Sequence, residues 1–99
     1  MEIRHLKYFE VVARTLNFSR ASEILCIAQP LSRQIQQLED ELGVKLIDRS
    51  TRPLSLTRSG AYFYEQTTLI LSRLQEIKAS TQRLGKGKTK LLAVGFVPT

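Results

Sequence analysis

Gln29-Pro30-Leu31-Ser32-Arg33-Gln34-Ile35-Gln36-Gln37-Leu38-Glu39-Asp40-Glu41-Leu42-Gly43 is the stretch on which the fold turns. Leu31, Ile35, Leu38 and Leu42 recur at spacings of four, three and four. At about 100° per residue Ile35, Leu38 and Leu42 fall within about 40° of Leu31, one narrow apolar stripe of an α-helix. Pro30 suits the first turn, where its missing N–H costs nothing. Gly43 is a natural stop. With Leu31 set at zero, Arg33 lies at about 200°, Gln36 at about 140°, Gln37 at about 240° and Gln29 at about 160°, all opposite the stripe. An Arg guanidinium can bind guanine O6 and N7 together, and a Gln amide can do the same at adenine N6 and N7. Ser32, on the flank, can reach a base or a phosphate. The acids Glu39, Asp40 and Glu41 gather at the far end of the helix. That arrangement suits a helix entering a major groove by its N-terminal end. The bland alternative is a merely solvated polar face.

Outward from this helix, four helical stretches and one short β signal can be read. Upstream, Leu6, Phe9, Ala13 and Leu16 share one face of a helix over Arg4–Leu16. Asn17-Phe18 breaks it, and Ser19 is placed to cap a short helix over Arg20–Cys26. Ala21 and Ser22 keep that helix thin, and Leu25 points to the core. Ile27-Ala28 makes a tight connection. Downstream, Val44–Ile47 reads as a strand and Leu54-Ser55-Leu56 as a second. The polar turn between them, Asp48-Arg49-Ser50-Thr51-Arg52-Pro53, gives the hairpin a basic tip. This order predicts a mainly α fold, a winged helix-turn-helix of three helices plus a two-stranded wing, over residues 1–57.

Thr57 is placed to cap a fourth helix over 58–84. Phe63, Thr67, Ile70, Leu74, Ile77, Thr81 and Leu84 alternate spacings of four and three, a heptad seam. A rod of about 40 Å with one apolar seam needs a partner, so Phe63, Ile70, Leu74, Ile77 and Leu84 are the candidate dimerisation residues. Gly85-Lys86-Gly87-Lys88 predicts a hinge over 85–90. Leu91–Val97 reads as a buried strand with nothing here to pair with, so 91–99 is expected to begin a further domain of a longer protein.

Composition bounds the function. The 99 residues are 42% hydrophobic and 24% charged, ordinary for one folded domain. No apolar run approaches membrane-spanning length, and no signal peptide is visible. The lone Cys26 excludes an internal disulfide and fits a cytoplasmic protein; it is expected to be a small packed residue. The net charge of +6 suggests an anionic partner. Residues 1–57, however, carry eight Lys/Arg against seven Asp/Glu, so a DNA surface there must come from local segregation of charge. His5 and Cys26 form no metal motif, and no phosphate loop or nucleophile elbow is present. No enzyme constellation can be assembled. The competing class is a protein-interaction module whose coiled-coil helix is the working part.

The chain resembles LysR-type transcriptional regulators over essentially its whole length. The resemblance is carried by Leu6, Phe9, Phe18, Ala21, Ala28-Gln29-Pro30, Leu31-Ser32-Arg33-Gln34-Ile35, Leu38-Glu39, Leu42-Gly43, Leu46-Ile47, Arg49, Leu56-Thr57 and Gly60. Arg4–Phe9 and Cys26–Pro30 look most like the muconate- and benzoate-responsive regulators of aromatic catabolism. The resemblance implies a linker helix that pairs antiparallel with its copy, giving a homodimer, and tetramers of the full-length protein. It also implies a C-terminal domain that binds a small-molecule inducer; no cofactor is expected in residues 1–99. The implied partners are double-stranded DNA carrying an interrupted inverted repeat and, for an activator, RNA polymerase. Recognition helices at about 30–42 would enter successive major grooves. Gln29, Pro30, Ser32 and Arg33 would supply base and phosphate contacts, joined by Gln36 and Gln37 on the same face. The family's wing arginine corresponds to Arg52, which would reach the minor groove or its phosphates. Arg49 and Pro53 are candidate contacts beside it, the alternative being an ordinary charged hairpin in which Arg49 pairs with a nearby acid. One departure stands out. The family usually has a residue between the Pro and the Leu-Ser-Arg, whereas Pro30 is followed directly by Leu31. One missing residue turns a helix by about 100°, which displaces Gln29 relative to Ser32 and Arg33 unless the turn absorbs the change. Ala28, where Ser is commoner, also removes an N-cap oxygen. Arg33 and Gln36 therefore carry more of the expectation than Gln29.

Overall fold

In a computed structural model the described residues are 1–87, and the elements are α1 (Ile3–Thr15), α2 (Phe18–Leu25), α3 (Leu31–Leu42), β1 (Ile47–Asp48), β2 (Ser55–Leu56) and α4 (Arg58–Gly87). The strand expected over Leu91–Val97 lies outside the described residues. The chain falls into two units, Met1–Leu69 and Ile70–Thr99.

In the first unit α1 packs on α2 and α3, and β1 pairs antiparallel with β2 in the register Ile47–Leu56 and Asp48–Ser55. The apolar faces read from the spacing supply the core: Leu6, Phe9 and Ala13 of α1, and Leu31, Ile35 and Leu38 of α3. Val11 and Val12 widen the α1 face, and Ala21, Leu46, Ile47 and Leu54 close the core from α2 and the wing. Fully burying one such Leu or Ile contributes about 1.5–3 kcal/mol.

The element ends follow local chemistry. α1 stops one residue earlier than expected, because Leu16 takes a left-handed conformation (φ 53°) and its N–H caps the Val12 carbonyl. α2 begins at Phe18 because Asn17, not Ser19, is the cap: its Oδ1 accepts from the Arg20 N–H at 3.0 Å. Cys26 ends α2, also left-handed (φ 55°), and is exposed rather than packed. Its place at the helix-turn-helix corner turns the side chain out. α3 starts at Leu31, with Pro30 as an N-cap lacking any side-chain bond. Gly43 ends it at φ 75°, where a Cβ would strain the backbone. The last member of the α3 stripe, Leu42, is exposed; the core ends one turn earlier.

Composition predicts the first strand at Val44–Ile47, but β1 is only Ile47–Asp48. Val44 and Lys45 are exposed, and the Leu46 and Ile47 N–H groups donate to a side chain described below. Thr57 caps α4 as expected: its Oγ1 accepts from the Gly60 N–H at 2.9 Å while donating to the Lys45 carbonyl at 2.6 Å. Gly60 passes so close to the Leu46 carbonyl that a Cβ would collide with it. α4 continues to Gly87, so Gly85, Lys86 and Gly87, expected to open the hinge at 85–90, are helical. Glycine costs about 1 kcal/mol per residue in a helix but does not forbid it, and Lys86 complements the C-terminal end of the dipole. Among the described residues no helix is long and apolar enough to cross a membrane.

Candidate nucleic-acid interface

The outer face of α3 is as bare as its spacing predicts. Arg33, Gln36 and Gln37 are exposed, as are Gln29 and Pro30 just ahead of the helix. Arg33 forms no ion pair among the described residues. The Gln34 amide donates to Gln29 Oε1 at 3.3 Å. Gln29 thus lies against the start of the helix with its oxygen engaged.

Ser32 and Arg49 behave differently from that face. Both are half-buried, and Arg49 Nη1 donates to Ser32 Oγ at 2.7 Å. Arg49 Nη2 meets Glu39 Oε1 at 3.4 Å, and the guanidinium lies 5.0 Å over the Phe18 ring. Glu39 is 2% exposed. Its other oxygen, Oε2, accepts from the Leu46 N–H at 2.7 Å and the Ile47 N–H at 3.0 Å. A buried carboxylate costs several kcal/mol unless its oxygens are satisfied. Here two backbone donors and one cation satisfy them, and the bonds pin the wing strand to α3. Sequence reasoning groups Glu39 with Asp40 and Glu41 at the far end of the helix and does not single it out as buried. The signal was available: at about 80° from Leu31, Glu39 borders the apolar stripe on the same side as Ser32 at about 100°.

At the wing tip, Arg52 and Pro53 are exposed. Arg52 Nη1 donates to its own turn, to the Arg49 carbonyl at 3.1 Å and the Thr51 carbonyl at 3.4 Å. Asp48 Oδ1 accepts from the Ser50 hydroxyl and, at 3.0 Å, from the Ser50 N–H. These bonds hold the Asp48 carboxyl below its ordinary value, the hydroxyl contributing most. A shallow depression of about 390 Å³ joins α3 to the wing, lined by Gln36, Lys45, Ile47, Asp48, Arg49 and Thr57. Lys45 is an exposed cation beside the expected contact residues that sequence reasoning did not single out.

The expected dimer seam divides between the two units. Phe63 is half-buried in the first unit, edge-on to Phe9 with centroids 5.2 Å apart, so it serves the domain core. Thr67 is buried there at 1% exposure, its hydroxyl without a partner among the described residues. In the second unit Ile70, Ile77 and Leu84 are exposed and Leu74 is half-buried. Among the described residues no group of three or more His, Cys, Asp or Glu side chains is placed to hold a metal.

The sequence profile described as "Bacterial regulatory helix-turn-helix protein, lysR family" matches residues 3–61. The chain belongs to the lysR family. Among family relatives, it is 56% identical to the HTH-type transcriptional regulator CatR of Pseudomonas putida over 100 positions, covering 100% of this chain and 34% of that protein. It is 44% identical to the HTH-type transcriptional regulator BenM of Acinetobacter baylyi over 98 residues, 98% of this chain and 32% of that protein. This lysR-family chain therefore spans about a third of the length of those relatives. Of solved structures, that of the BenM DBD with catB site 1 DNA matches with a TM-score of 0.85 at 45% identity, covering 88% of this chain and 95% of that one. That of the CbnR DBD with DNA matches with a TM-score of 0.76 at 40% identity, covering 83% and 95%. The fold is thus the winged helix-turn-helix with a long fourth helix shared by these lysR-family structures, and CatR and BenM are named as transcriptional regulators, not enzymes.

Proposed function

We propose that this chain is the DNA-binding part of a transcription regulator that reads an interrupted inverted repeat in double-stranded DNA as a homodimer. The α3 N-terminal half enters the major groove. Arg33 and Gln36 read base edges, Gln37 and Gln29 contact neighbouring bases or phosphates, and Pro30 and Ser32 set the approach of the helix to the backbone. Arg52, with Pro53, meets the minor groove or its phosphates, and Lys45 adds a phosphate contact. One observation carries this reading: a solvent-facing row of Arg33, Gln36 and Gln37, with no acidic partner among the described residues, beside a wing cation on the fold that the BenM DBD uses with DNA. Ile70, Leu74, Ile77 and Leu84 form the seam for a second copy, and a further domain of the whole protein binds a small aromatic-derived inducer. The whole protein is a cytoplasmic tetramer that activates aromatic catabolism genes through RNA polymerase.

The test is selection of bound duplexes from a random pool. An inverted repeat with a gap is expected, with affinity falling steeply with salt because phosphate contacts release counterions. Leu74→Glu is expected to give monomers by sedimentation that retain only weak half-site binding. Recovery of no common sequence, or a salt-independent affinity, contradicts the DNA reading; a Leu74→Glu dimer contradicts the seam.

A further inference from the structure

Resting on that DNA reading, we propose that Arg49 is a positioning residue, not a DNA contact, and that it commits the Ser32 hydroxyl to donating a hydrogen bond to an acceptor atom of the duplex. The guanidinium is already engaged: Nη1 on Ser32 Oγ at 2.7 Å, Nη2 on Glu39 Oε1 at 3.4 Å, one face over Phe18. A guanidinium only donates, so Ser32 is the acceptor in their shared bond and keeps its own proton. A helical serine commonly returns that proton to a carbonyl one turn back. For Ser32 those positions are residues 28 and 29, ahead of the helix, and no such bond forms among the described residues. The proton is left for a ligand. The charged donor behind Ser32 polarises the hydroxyl, so a chain running Arg49, Ser32, DNA acceptor strengthens along its length.

This selects one chemistry. The hydroxyl suits an acceptor, a phosphate oxygen, a purine N7, guanine O6 or thymine O4, and disfavours the amino groups of adenine N6 and cytosine N4, which are donors. It also separates the two wing arginines. The charge of Arg49 is balanced by Glu39, so Arg49 releases no counterion, whereas Arg52 faces no carboxylate among the described residues.

The experiment uses the 99-residue chain, a duplex it recovers from a random pool, and titrations over a range of KCl. Ser32→Ala is expected to weaken binding about tenfold, the loss of one charge-assisted bond. Arg49→Lys, which keeps the charge but not the two-armed geometry, is expected to weaken it comparably. The Ser32→Ala/Arg49→Lys double variant should be no worse than either single one. The charge-removing Arg49→Gln should leave the slope of log affinity on log salt unchanged, whereas Arg52→Ala should make it shallower by about 0.9. Single methylphosphonates, then single 7-deazapurines, locate the acceptor: at one position the parent loses affinity and Ser32→Ala loses no more. Multiplying losses in the double variant, an Arg49→Gln slope shallower by about 0.9, or no acceptor position at which Ser32→Ala becomes insensitive would each overturn the proposal. Should the Arg49 variants fail to fold by circular dichroism, the acceptor scan with Ser32→Ala decides alone. If the parent recovers no duplex, the DNA reading itself fails, which is a different outcome from any of these.

Discussion

Replacing Glu39 by alanine removes the carboxylate on which the wing is hung. Two buried amides, Leu46 N–H and Ile47 N–H, lose the carboxylate oxygen they share, at 2.7 and 3.0 Å. Each buried donor left unmade costs about 1–3 kcal/mol. The Arg49 guanidinium, its side chain 34% exposed, loses its ion pair but gains water, so that part is worth only about 0–1 kcal/mol. Together the loss is about 2–7 kcal/mol, centred on about 4. A unit the size of Met1–Leu69 has roughly 5 kcal/mol to lose in all. Alanine should therefore bring it close to unfolding and lower the melting temperature by roughly 15–30 °C. Glu39→Gln keeps one oxygen for the amides but turns an NH2 group toward Arg49, and should cost about 1–2 kcal/mol. Urea unfolding followed by far-UV circular dichroism, at one fixed protein concentration because dimerisation adds stability, reads both values. Amide exchange at Leu46 and Ile47 localises them. An alanine variant within about 0.5 kcal/mol of the parent, the range of a neutral surface change, would refute the hanging-strand account.

Thr67→Val should stabilise the first unit by about 1 kcal/mol, because it replaces a buried hydroxyl that has no partner among the described residues with an isosteric apolar group; the urea midpoint checks it. Gly60→Ala should cost more than about 3 kcal/mol, since its Cβ would overlap the Leu46 carbonyl, and should appear as loss of the folded signal in the same titration. The Asp48 carboxyl lies below its unfolded value, so its contribution to the wing turn is complete above that unfolded value and disappears as pH falls through the folded one. Titration by NMR should show Ser50 amide protection fading only below the ordinary carboxylate range, and Asp48→Asn should abolish that pH dependence.

Much of the fold was legible because its strongest elements are periodic. The α3 stripe, the α1 face, the Gly43 stop and the Thr57 cap all rest on one-dimensional spacing, which survives folding unchanged. What escaped depends on which of two adjacent groups wins a single contact. Asn17 and Ser19 are both good caps, and the backbone turns at Leu16 so that Asn17 reaches Arg20 N–H first. Val44–Ile47 has a strand's composition, yet Glu39 takes two of its amides and moves the pairing on to Ile47-Asp48. The candidate interface shows the same division. Arg33, Gln36 and Gln37 face away from Leu31 by helical angle alone and are exposed. Arg49 and Arg52 are two cations of one turn; the sequence marks Arg49 as the one more inclined to pair with a nearby acid, but it does not show that the acid is the buried Glu39 of α3. Phe63 fits the heptad seam by spacing but packs on Phe9, because a seam residue one turn into α4 is still within reach of the α1 core.

The reading of DNA by the exposed side of α3 is tested most directly by Arg33→Ala, titrated against the selected duplex and against all four base pairs at each of its positions. Loss of about 1–3 kcal/mol of affinity, roughly 5- to 150-fold, with base preference relaxed at one pair per half-site, is the expected result. Parental affinity together with parental preference at every position would contradict it.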